Sequence, residues 1–351
     1  SPSADEGQLK LMSYNIKSGD WSEDEAQKLA AIIHIEQPDL IGLQQANSAA
    51  ITAIENLMNG DYRAVTFPGD NQNSFLLRNS TTKLIKSAGT NENSMLDCSG
   101  NTHLSFVEIE LPGGAHLAVY NGHFCPLDTP DSDLEPGNSA LSTAQSHAAE
   151  LVNFILQQTP KSNLPVFAVG DFAGNYNSTM MKFLKGESSL PGPVSNPIPF
   201  ADSYNSSSGL RNTSRHAILH RNSRTLTFEH AQIVNNPSID KVGTQSPMVI
   251  IFKLEDSDGD GVLDSDDNCS MLANADQRDT DGDGYGNLCD ADLNNSGLVN
   301  GLDLGLFKRS FASTGSGLDA DLDGNGIVNG IDLGLFKRMF GKAPGPSGVH
   351  E

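Results

Sequence analysis

Short apolar runs alternate with amphipathic stretches along residues 8–254. Short apolar runs between turn residues are typical of strands, and apolar positions three and four residues apart are typical of helices. Ser22 and Glu25 have the spacing of a capping box and predict a helix that ends near Glu36. Two more helices are predicted at 47–58 and 140–158, and strands at 9–15, 40–44, 74–78, 104–110, 116–121, 166–170, 233–234 and 248–252. This mixture predicts an α/β sandwich with helices outside packed sheets.

The aliphatic periodicity stops after Leu254, where Asp-Gly repeats begin. We therefore predict an N-terminal extension (1–7), one large domain (8–254), two calcium-loop segments (255–290 and 291–341) and a tail (342–351). The longest apolar runs, 29–35 and 248–252, are too short to span a bilayer, so no membrane span is expected.

Four acidic segments after Leu254 match the ligand pattern of an EF-type calcium loop. That loop places oxygen ligands at positions 1, 3, 5, 7 (a backbone carbonyl), 9 and 12, with Gly at position 6. A disordered acidic linker is the alternative, but it does not explain four matches. We predict four Ca²⁺ ions, with these ligands: in loop 1 (256–267) Asp256, Asp258, Asp260, Val262, Asp264 and Asp267; in loop 2 (279–290) Asp279, Asp281, Asp283, Tyr285, Asn287 and Asp290; in loop 3 (292–303) Asp292, Asn294, Ser296, Leu298, Asn300 and Asp303; in loop 4 (321–332) Asp321, Asp323, Asn325, Ile327, Asn329 and Asp332.

The charge of the chain is concentrated in these loops. The formal net charge is −22, and the residues from Asp256 onward hold 18 acidic and 6 basic side chains. Acid at this density either stays solvated or holds cations. A nucleic acid is not expected as a partner of such a chain, because its phosphates would be repelled.

Four cysteines permit disulfide pairing, and the simplest pairs join Cys98 to Cys125 and Cys269 to Cys289. Such pairing requires an oxidising compartment, whereas four buried free thiols are the alternative. The chain also begins at Ser1 without Met, as a processed product does. We expect a secreted protein that is extracellular or on a cell surface.

Loops 1 and 2, with Asp-Asn-Cys at 267–269 and Cys-Asp at 289–290, resemble thrombospondin type 3 repeats. Loops 3 and 4 repeat after 29 residues (321 − 292), and each runs into nearly the same helix, at 302–311 and 331–340. This duplication resembles a type I dockerin, which implies a cohesin-like partner. Gly301-Leu302 and Gly330-Ile331 stand where many dockerins carry hydroxyl pairs for cohesin recognition. The two helices either dock a partner, including a self-assembly partner, or pack on each other.

Four motifs follow one another along the large domain: Tyr14-Asn15, Pro38-Asp39-Leu40-Ile41-Gly42-Leu43-Gln44-Gln45, Asn121-Gly122-His123 and Gly170-Asp171-Phe172-Ala173. In this order and spacing they resemble the endonuclease/exonuclease/phosphatase superfamily. This resemblance implies a four-layer α/β sandwich of the DNase type and divalent-metal-dependent cleavage of phosphoesters. It also implies a metal-site role for Asn15 and catalytic roles for His123 and Asp171.

The sequence departs from this family at the chemistry. The metal-binding Glu is replaced by Gln45, and the Asn that follows Asp171 by two places is Ala173. The closing Ser-Asp-His is absent at 243–248. The family's late Ile-Asp maps to either Glu229-His230 or Ile239-Asp240.

Three hypotheses of different classes follow from these residues. The first is a secreted, calcium-stabilised pseudoenzyme that acts as a binding or structural protein. The second is an active nuclease or phosphodiesterase tethered by the dockerin-like tail, with Mg²⁺ or Mn²⁺ held by His123, Asp171, His230 and Asp240. The third is a subunit of an extracellular assembly.

Overall fold

The computed structural model describes residues 7–16, 22–67, 70–90, 103–112, 114–124, 139–159, 164–172, 179–187, 200–202, 216–221, 226–234, 246–264 and 266–349. The chain divides into two units, residues 1–111 with 116–253 and residues 112–115 with 254–351. Ala173, Asp240, Cys98, Cys125 and residues 243–245 lie outside the described residues.

In the part of the chain that the structure describes, the strands lie in the first unit together with four helices, and two further helices lie in the second unit. The described strands are β1 (Gln8–Asn15), β2 (Leu40–Gln44), β3 (Tyr62–Phe67), β4 (Asp70–Arg78), β5 (Lys83–Gly89), β6 (His103–Glu110), β7 (His116–His123), β8 (Val166–Asp171), β9 (Ala201–Asp202), β10 (His216–Arg221), β11 (Leu226–Ile233) and β12 (Met248–Leu254). The described helices are α1 (Glu23–Glu36), α2 (Ser48–Leu57), α3 (Ser139–Gln158), α4 (Thr179–Leu184), α5 (Gly301–Ser310) and α6 (Gly330–Met339).

The strands of the first unit form two six-stranded sheets. Their orders are β11-β12-β1-β2-β4-β3 and β5-β6-β7-β8-β10-β9. β1 runs parallel to β2, and β7 runs parallel to β8. The two sheets pack face to face. Phe167 of β8 and Phe252 of β12 belong to different sheets, and their ring centroids lie 5.1 Å apart. A Cβ atom at Gly42 would lie only 2.4 Å from Val169 Cγ2, so this position requires glycine.

Helices cover the outer face of each sheet. Leu29 and Ile33 of α1 and Ile54 of α2 pack with Met12 and Leu43 in one buried cluster. A second buried cluster joins α3 and α4 to the other sheet and includes Phe106, Tyr120, Leu151, Ile155 and Phe183. The order is therefore helix, sheet, sheet, helix. The predicted four-layer α/β sandwich is confirmed, and the Ser22 capping box is present at the start of α1.

The second unit is built from the four loops and the two short helices. Phe307 of α5 and Phe336 of α6 are buried, and their ring centroids lie 5.4 Å apart. Val299, Leu322 and Val328 complete this core. The helices thus pack on each other through their phenylalanines, while Leu302 and Ile331 are 71% and 60% exposed. Among the helices that the structure describes, no helix combines the length and apolar content that a membrane span requires.

Candidate metal centres

Three family-matching residues of the first unit meet at one edge of the packed sheets. Asn15 ends β1, His123 ends β7 and Asp171 ends β8. Asn15 Nδ2 donates to Asp171 Oδ2 at 3.0 Å, and both residues are buried. His123 lies opposite Asp171 in the parallel β7–β8 pair. We name this group the strand-end site (Asn15, His123 and Asp171).

Neutral amides occupy the neighbouring end of β2. Gln44 Nε2 donates to Asn121 Oδ1 at 2.7 Å, and Asn121 Nδ2 donates to the carbonyl oxygen of Leu43 at 2.9 Å. Gln45 follows directly, in the left-handed region at φ 58° and partly exposed. The end of β2 therefore carries two neutral glutamines, Gln44 in the strand and Gln45 directly after it, next to the strand-end site.

The donors of this site suit a tightly held divalent cation poorly. Asn15 Oδ1 is buried and accepts no hydrogen bond, so it is an available neutral ligand. Gln45 would add another neutral amide. Mg²⁺ is bound through carboxylates, usually one or two, and Asp171 supplies the carboxylate among the residues that end β1, β2, β7 and β8.

Glu229 and His230 lie away from the strand-end site. Glu229 Oε2 accepts a hydrogen bond of 2.8 Å from Gln8 Nε2, at the beginning of β1, whereas Asn15 ends that strand. Seven residues of strand separate these two ends by about 23 Å. The tethered-hydrolase hypothesis expected His230 to lie beside His123 and Asp171. The structure places His230 away from them.

In the second unit, three loops bring their acidic positions together. The carboxylates of Asp256, Asp258 and Asp260 lie within 4.8 Å of one another, and so do two further triads. These triads are Asp279, Asp281 and Asp283 in loop 2, and Asp321, Asp323 and Asp332 in loop 4. In loop 4 positions 1, 3 and 12 meet, although Asp323 and Asp332 are nine positions apart in the sequence.

The first position of each loop fixes the turn at position 6. Asp256 Oδ2 accepts from the backbone N–H of Gly261 at 3.0 Å, and Asp279 Oδ2 accepts from Gly284 at 3.0 Å. Asp292 and Asp321 make the same bond in loops 3 and 4. The glycines at position 6 all have φ between 82° and 93°, where a side chain is disfavoured: Gly261, Gly284, Gly297 and Gly326.

Buried carboxylate oxygens without a hydrogen bond show that these residues fit a cation. The atoms are Asp258 Oδ2, Asp267 Oδ2, Asp303 Oδ1 and Asp321 Oδ1. Each belongs to a predicted ligand at position 1, 3 or 12, and Asp267 and Asp303 are fully buried. An unpaired buried carboxylate is strongly unfavourable, and a hard cation with oxygen ligands offsets that cost. The donors present thus fit Ca²⁺.

The acidity of the carboxyl groups agrees with this fit. Burial, followed by the charges of Asp283 and Asp281, raises the pKa of Asp290 to about 7. Burial also raises the pKa of Asp319 to about 6, with loop 2 carboxylates adding to the rise. Burial likewise raises the pKa of Asp258 and of Asp281. These groups are poorly stabilised as anions by the protein alone, and a bound cation would favour the charged form.

A disulfide joins the first two loops. Cys269 follows loop 1, Cys289 lies in loop 2, both are buried, and their Cα atoms are 5.7 Å apart. This half of the predicted pairing is confirmed. The Cys98–Cys125 pair lies outside the described residues.

Sequence reasoning missed two residues at this centre. Arg278 donates from its guanidinium to the backbone oxygen of Asp321, and Asp319 accepts from Asn287 Nδ2 at its backbone oxygen at 3.0 Å. Both contacts join residues more than 30 positions apart, so no local motif marks them.

Comparison with known proteins assigns the C-terminal part of the chain. Residues 290–341 match the family of the dockerin type I domain. A type I dockerin domain therefore lies at 290–341. Dockerin domains bind calcium, typically bind cohesin partners and are found on extracellular proteins. Loops 3 and 4 with α5 and α6 are this dockerin.

Solved structures resemble the first unit. The human Nocturnin catalytic domain with bound sulfate anion superimposes with a TM-score of 0.51 and 15% identity, over 71% of this chain and 95% of that one. An endonuclease/exonuclease/phosphatase from Bacteroides vulgatus gives 0.55 and 11%, over 71% and 99%. A family member from Bacteroides thetaiotaomicron gives 0.52 and 13%, over 71% and 98%. At these identities the likeness shows the fold, which is that of the endonuclease/exonuclease/phosphatase superfamily. No curated protein matches the sequence.

Proposed function

We propose that the chain is an exported calcium-binding protein whose dockerin attaches a non-catalytic phosphoesterase-like domain to an extracellular assembly. The observation that carries the loss of catalysis is the neutral end of β2. Gln45 stands in place of the metal-binding Glu, and Gln44 is committed to the Asn121 network. The strand-end site then relies on Asp171 for negative charge.

The chemistry of phosphoester cleavage requires more than this site supplies. A divalent metal stabilises the charge that develops on the phosphoryl oxygens, and general acid–base groups move the protons. Here Asn15 holds Asp171 through one hydrogen bond. His230 lies elsewhere, and the closing Ser-Asp-His of the family is absent from the sequence. The first domain is then a binding or structural element.

A phosphodiesterase assay tests the loss of catalysis. The full chain is incubated with bis(p-nitrophenyl) phosphate, single-stranded DNA and RNA, each with Mg²⁺, Mn²⁺ or Ca²⁺. We expect turnover at the level of the His123→Ala variant in every case, and no gain in the Gln45→Glu variant. Turnover that His123→Ala abolishes would contradict the proposal.

The tethered hydrolase is the second candidate, because the Asn15–Asp171 hydrogen bond and the position of His123 persist. If the same assay shows His123-dependent turnover, this candidate replaces the first. Its metal would have to bind at the strand-end site without Glu229 and His230.

The calcium role of the second unit includes all four loops in our proposal. The triads of loops 1, 2 and 4 and the unpaired buried oxygens of loops 1, 3 and 4 support one ion in each loop. Isothermal titration of chelator-treated protein should give four ions per chain. Two ions, confined to the dockerin, would show that loops 1 and 2 do not take part.

Docking is proposed through the exposed face of the dockerin helices. Leu302 and Ile331, at equivalent places in the duplication, are the most exposed large apolar residues of the second unit's helices. We expect calcium-dependent binding to an immobilised cohesin module. The double variant Leu302→Asp, Ile331→Asp should lose that binding, whereas the exposed Met271→Asp should retain it.

A further inference from the structure

We propose that Arg278 couples ion binding in loop 2 to ion binding in loop 4, so that the two loop pairs act as one calcium unit. The inference rests on the proposed ions in loops 2 and 4. It goes beyond them, because it assigns Arg278 a role that no EF-type ligand position gives it.

Arg278 contacts both loops, loop 2 through its backbone and loop 4 through its side chain. It immediately precedes Asp279, the first position of loop 2, and its backbone oxygen accepts from the N–H of Asn287 at 2.8 Å. Asn287 is the ninth position of the same loop, so this bond helps to close loop 2. The guanidinium of Arg278 donates to the backbone oxygen of Asp321, the first position of loop 4.

The guanidinium also covers the start of loop 4. A Cβ atom at Gly324, the fourth position of that loop, would lie 3.2 Å from Arg278 Nε. Asp321 is 4% exposed and its Oδ1 atom accepts no hydrogen bond, as expected for a ligand that is held ready for a cation. Arg278 thus restrains the residue that begins loop 4.

A second contact runs beside the first. Asn287 Oδ1 accepts from the backbone N–H of Thr280 at 2.8 Å, and Asn287 Nδ2 donates to the backbone oxygen of Asp319 at 3.0 Å. The same side chain therefore closes loop 2 and contacts the segment that enters loop 4. Two parallel connections between the loops favour joint ordering over independent ordering.

The physical basis of the coupling is the shared cost of ordering. When an ion orders loop 2, the backbone of Arg278 is fixed, so its side chain has less freedom to lose on binding Asp321. Loop 4 then pays less conformational entropy when it binds its own ion. Coupling of this kind is reciprocal, and typical values correspond to a change of about fivefold or more in affinity.

Tyr285 supplies a loop-specific probe for the experiment. It is the seventh residue of loop 2 and the only tyrosine after residue 204. Its backbone oxygen is a predicted ligand of loop 2, so its ring is close to the proposed ion in that loop. Terbium(III) bound in loop 2 should therefore luminesce when Tyr285 is excited.

The test is a double-mutant cycle on the full chain with terbium as the ion. Asp332→Asn damages loop 4 but keeps an oxygen for the hydrogen bond from the Asn329 N–H. We expect it to weaken terbium binding in loop 2 at least about fivefold in the native background. In the Arg278→Gln background the same change should weaken it less than about twofold.

Two further variants keep the test decisive. Arg309→Gln, an exposed arginine on α5, should leave the fivefold effect unchanged, because it removes the same charge without touching loop 4. Arg278→Lys should keep the coupling, because one ammonium donor can still reach the oxygen of Asp321. If Arg278→Gln loses its far-ultraviolet helix signal, Arg278→Met, which keeps the apolar stem but has no donor, replaces it as the test. Equal effects of Asp332→Asn in the native and Arg278→Gln backgrounds would overturn the proposal, as would a loss of coupling in Arg309→Gln.

Absence of any Tyr285-sensitised signal would overturn the proposed ion in loop 2 as well, and that result is distinct from uncoupled binding.

Discussion

At the scale of single residues, Asp303 and Asp332 each serve a loop and a helix at once. Asp303 Oδ2 accepts from the backbone N–H of Asn300 at 2.7 Å, and Asp332 Oδ2 accepts from that of Asn329 at 2.8 Å. These bonds complete the capping boxes of α5 and α6. The remaining oxygen of Asp303 is buried without a hydrogen bond, so helix capping and ion binding are linked in one side chain.

This double role makes Asp303→Asn informative. The amide keeps an oxygen for the Asn300 N–H but loses the charge that a Ca²⁺ ion requires. We expect one fewer ion per chain, or a weakening of that site by roughly tenfold, about 1.4 kcal/mol. Titration calorimetry measures this, and Asp24→Asn on the surface of α1 is the control. Binding of four ions with unchanged affinity would show that Asp303 serves the helix alone.

The residue scale also shows which part of the site is readable from sequence. The loop ligands are readable because an EF-type loop holds its donors within twelve consecutive residues, and spacing alone brings them together. The strand-end site was readable only through resemblance, since Asn15 and Asp171 are 156 positions apart. Arg278 and Asp319 were not readable, because their contacts depend on how loops 2 and 4 pack.

At the scale of elements, the sequence predicts buried strands better than edge strands. β2 and β8 are buried along their whole length and were predicted nearly to the residue. β5 is mostly exposed and mixes Lys, Ser and Gly with its apolar residues, so its period is weak and it was missed. β11 extends over Leu226–Ile233, whereas the predicted strand, 233–234, overlaps it only at Ile233.

The Cys269–Cys289 disulfide is an element-scale restraint across loop 2. Its sequence separation is 20 residues, and closing a loop of that length in the unfolded chain stabilises the fold by about 3 kcal/mol. We expect the double variant Cys269→Ser, Cys289→Ser to lose roughly that much unfolding free energy. Urea denaturation at fixed free calcium measures it. A loss below about 1 kcal/mol would mean that the unfolded chain already keeps these two residues close together.

The tail after the dockerin is a second restraint. The backbone N–H of Gly345 donates to the oxygen of Cys289 at 3.1 Å, and that of Gly348 donates to the oxygen of Asp267 at 2.8 Å. Ser347 Oγ donates to the oxygen of Gly284 at 2.7 Å. The tail therefore contacts the ends of loop 1 and the turn of loop 2.

Removal of the tail should destabilise loops 1 and 2. Truncation after Lys342 keeps the pairing of Val299 with Gly341 and Lys342 but deletes these three contacts and the bond of 3.1 Å from the Ser270 N–H to the oxygen of Pro346. At about 1 kcal/mol for each of the four hydrogen bonds, we expect a loss of about 4 kcal/mol. The matched variant Ser347→Ala should lose about a quarter of that amount. Urea denaturation in excess calcium checks both, and equal stability of the truncated and complete chains would contradict the tail's role.

At the scale of the whole molecule, the two units are stabilised by different physics. The first unit has two buried apolar clusters between its sheets and helices, which need no ion. The second unit has one small core around Phe307 and Phe336 and a set of buried carboxylates. Removing apolar area from water stabilises the first, whereas the second requires cations to offset its buried negative charge.

Chelation of calcium should therefore separate the two units in a calorimetric scan. An ion that binds only the folded state adds about 2.7 kcal/mol per site at a hundredfold excess over its Kd, so four ions add on the order of 10 kcal/mol to the second unit. We expect chelator to lower the melting temperature of the second unit sharply and to leave that of the first unit unchanged. The variant Asp303→Asn, scanned in excess calcium, should lose about a quarter of the difference in unfolding free energy if the ion is lost, and about an eighth if the site is tenfold weaker. A chelator that lowers both transitions equally would mean that the first unit also holds an ion, and the strand-end site would then be the first place to look for it.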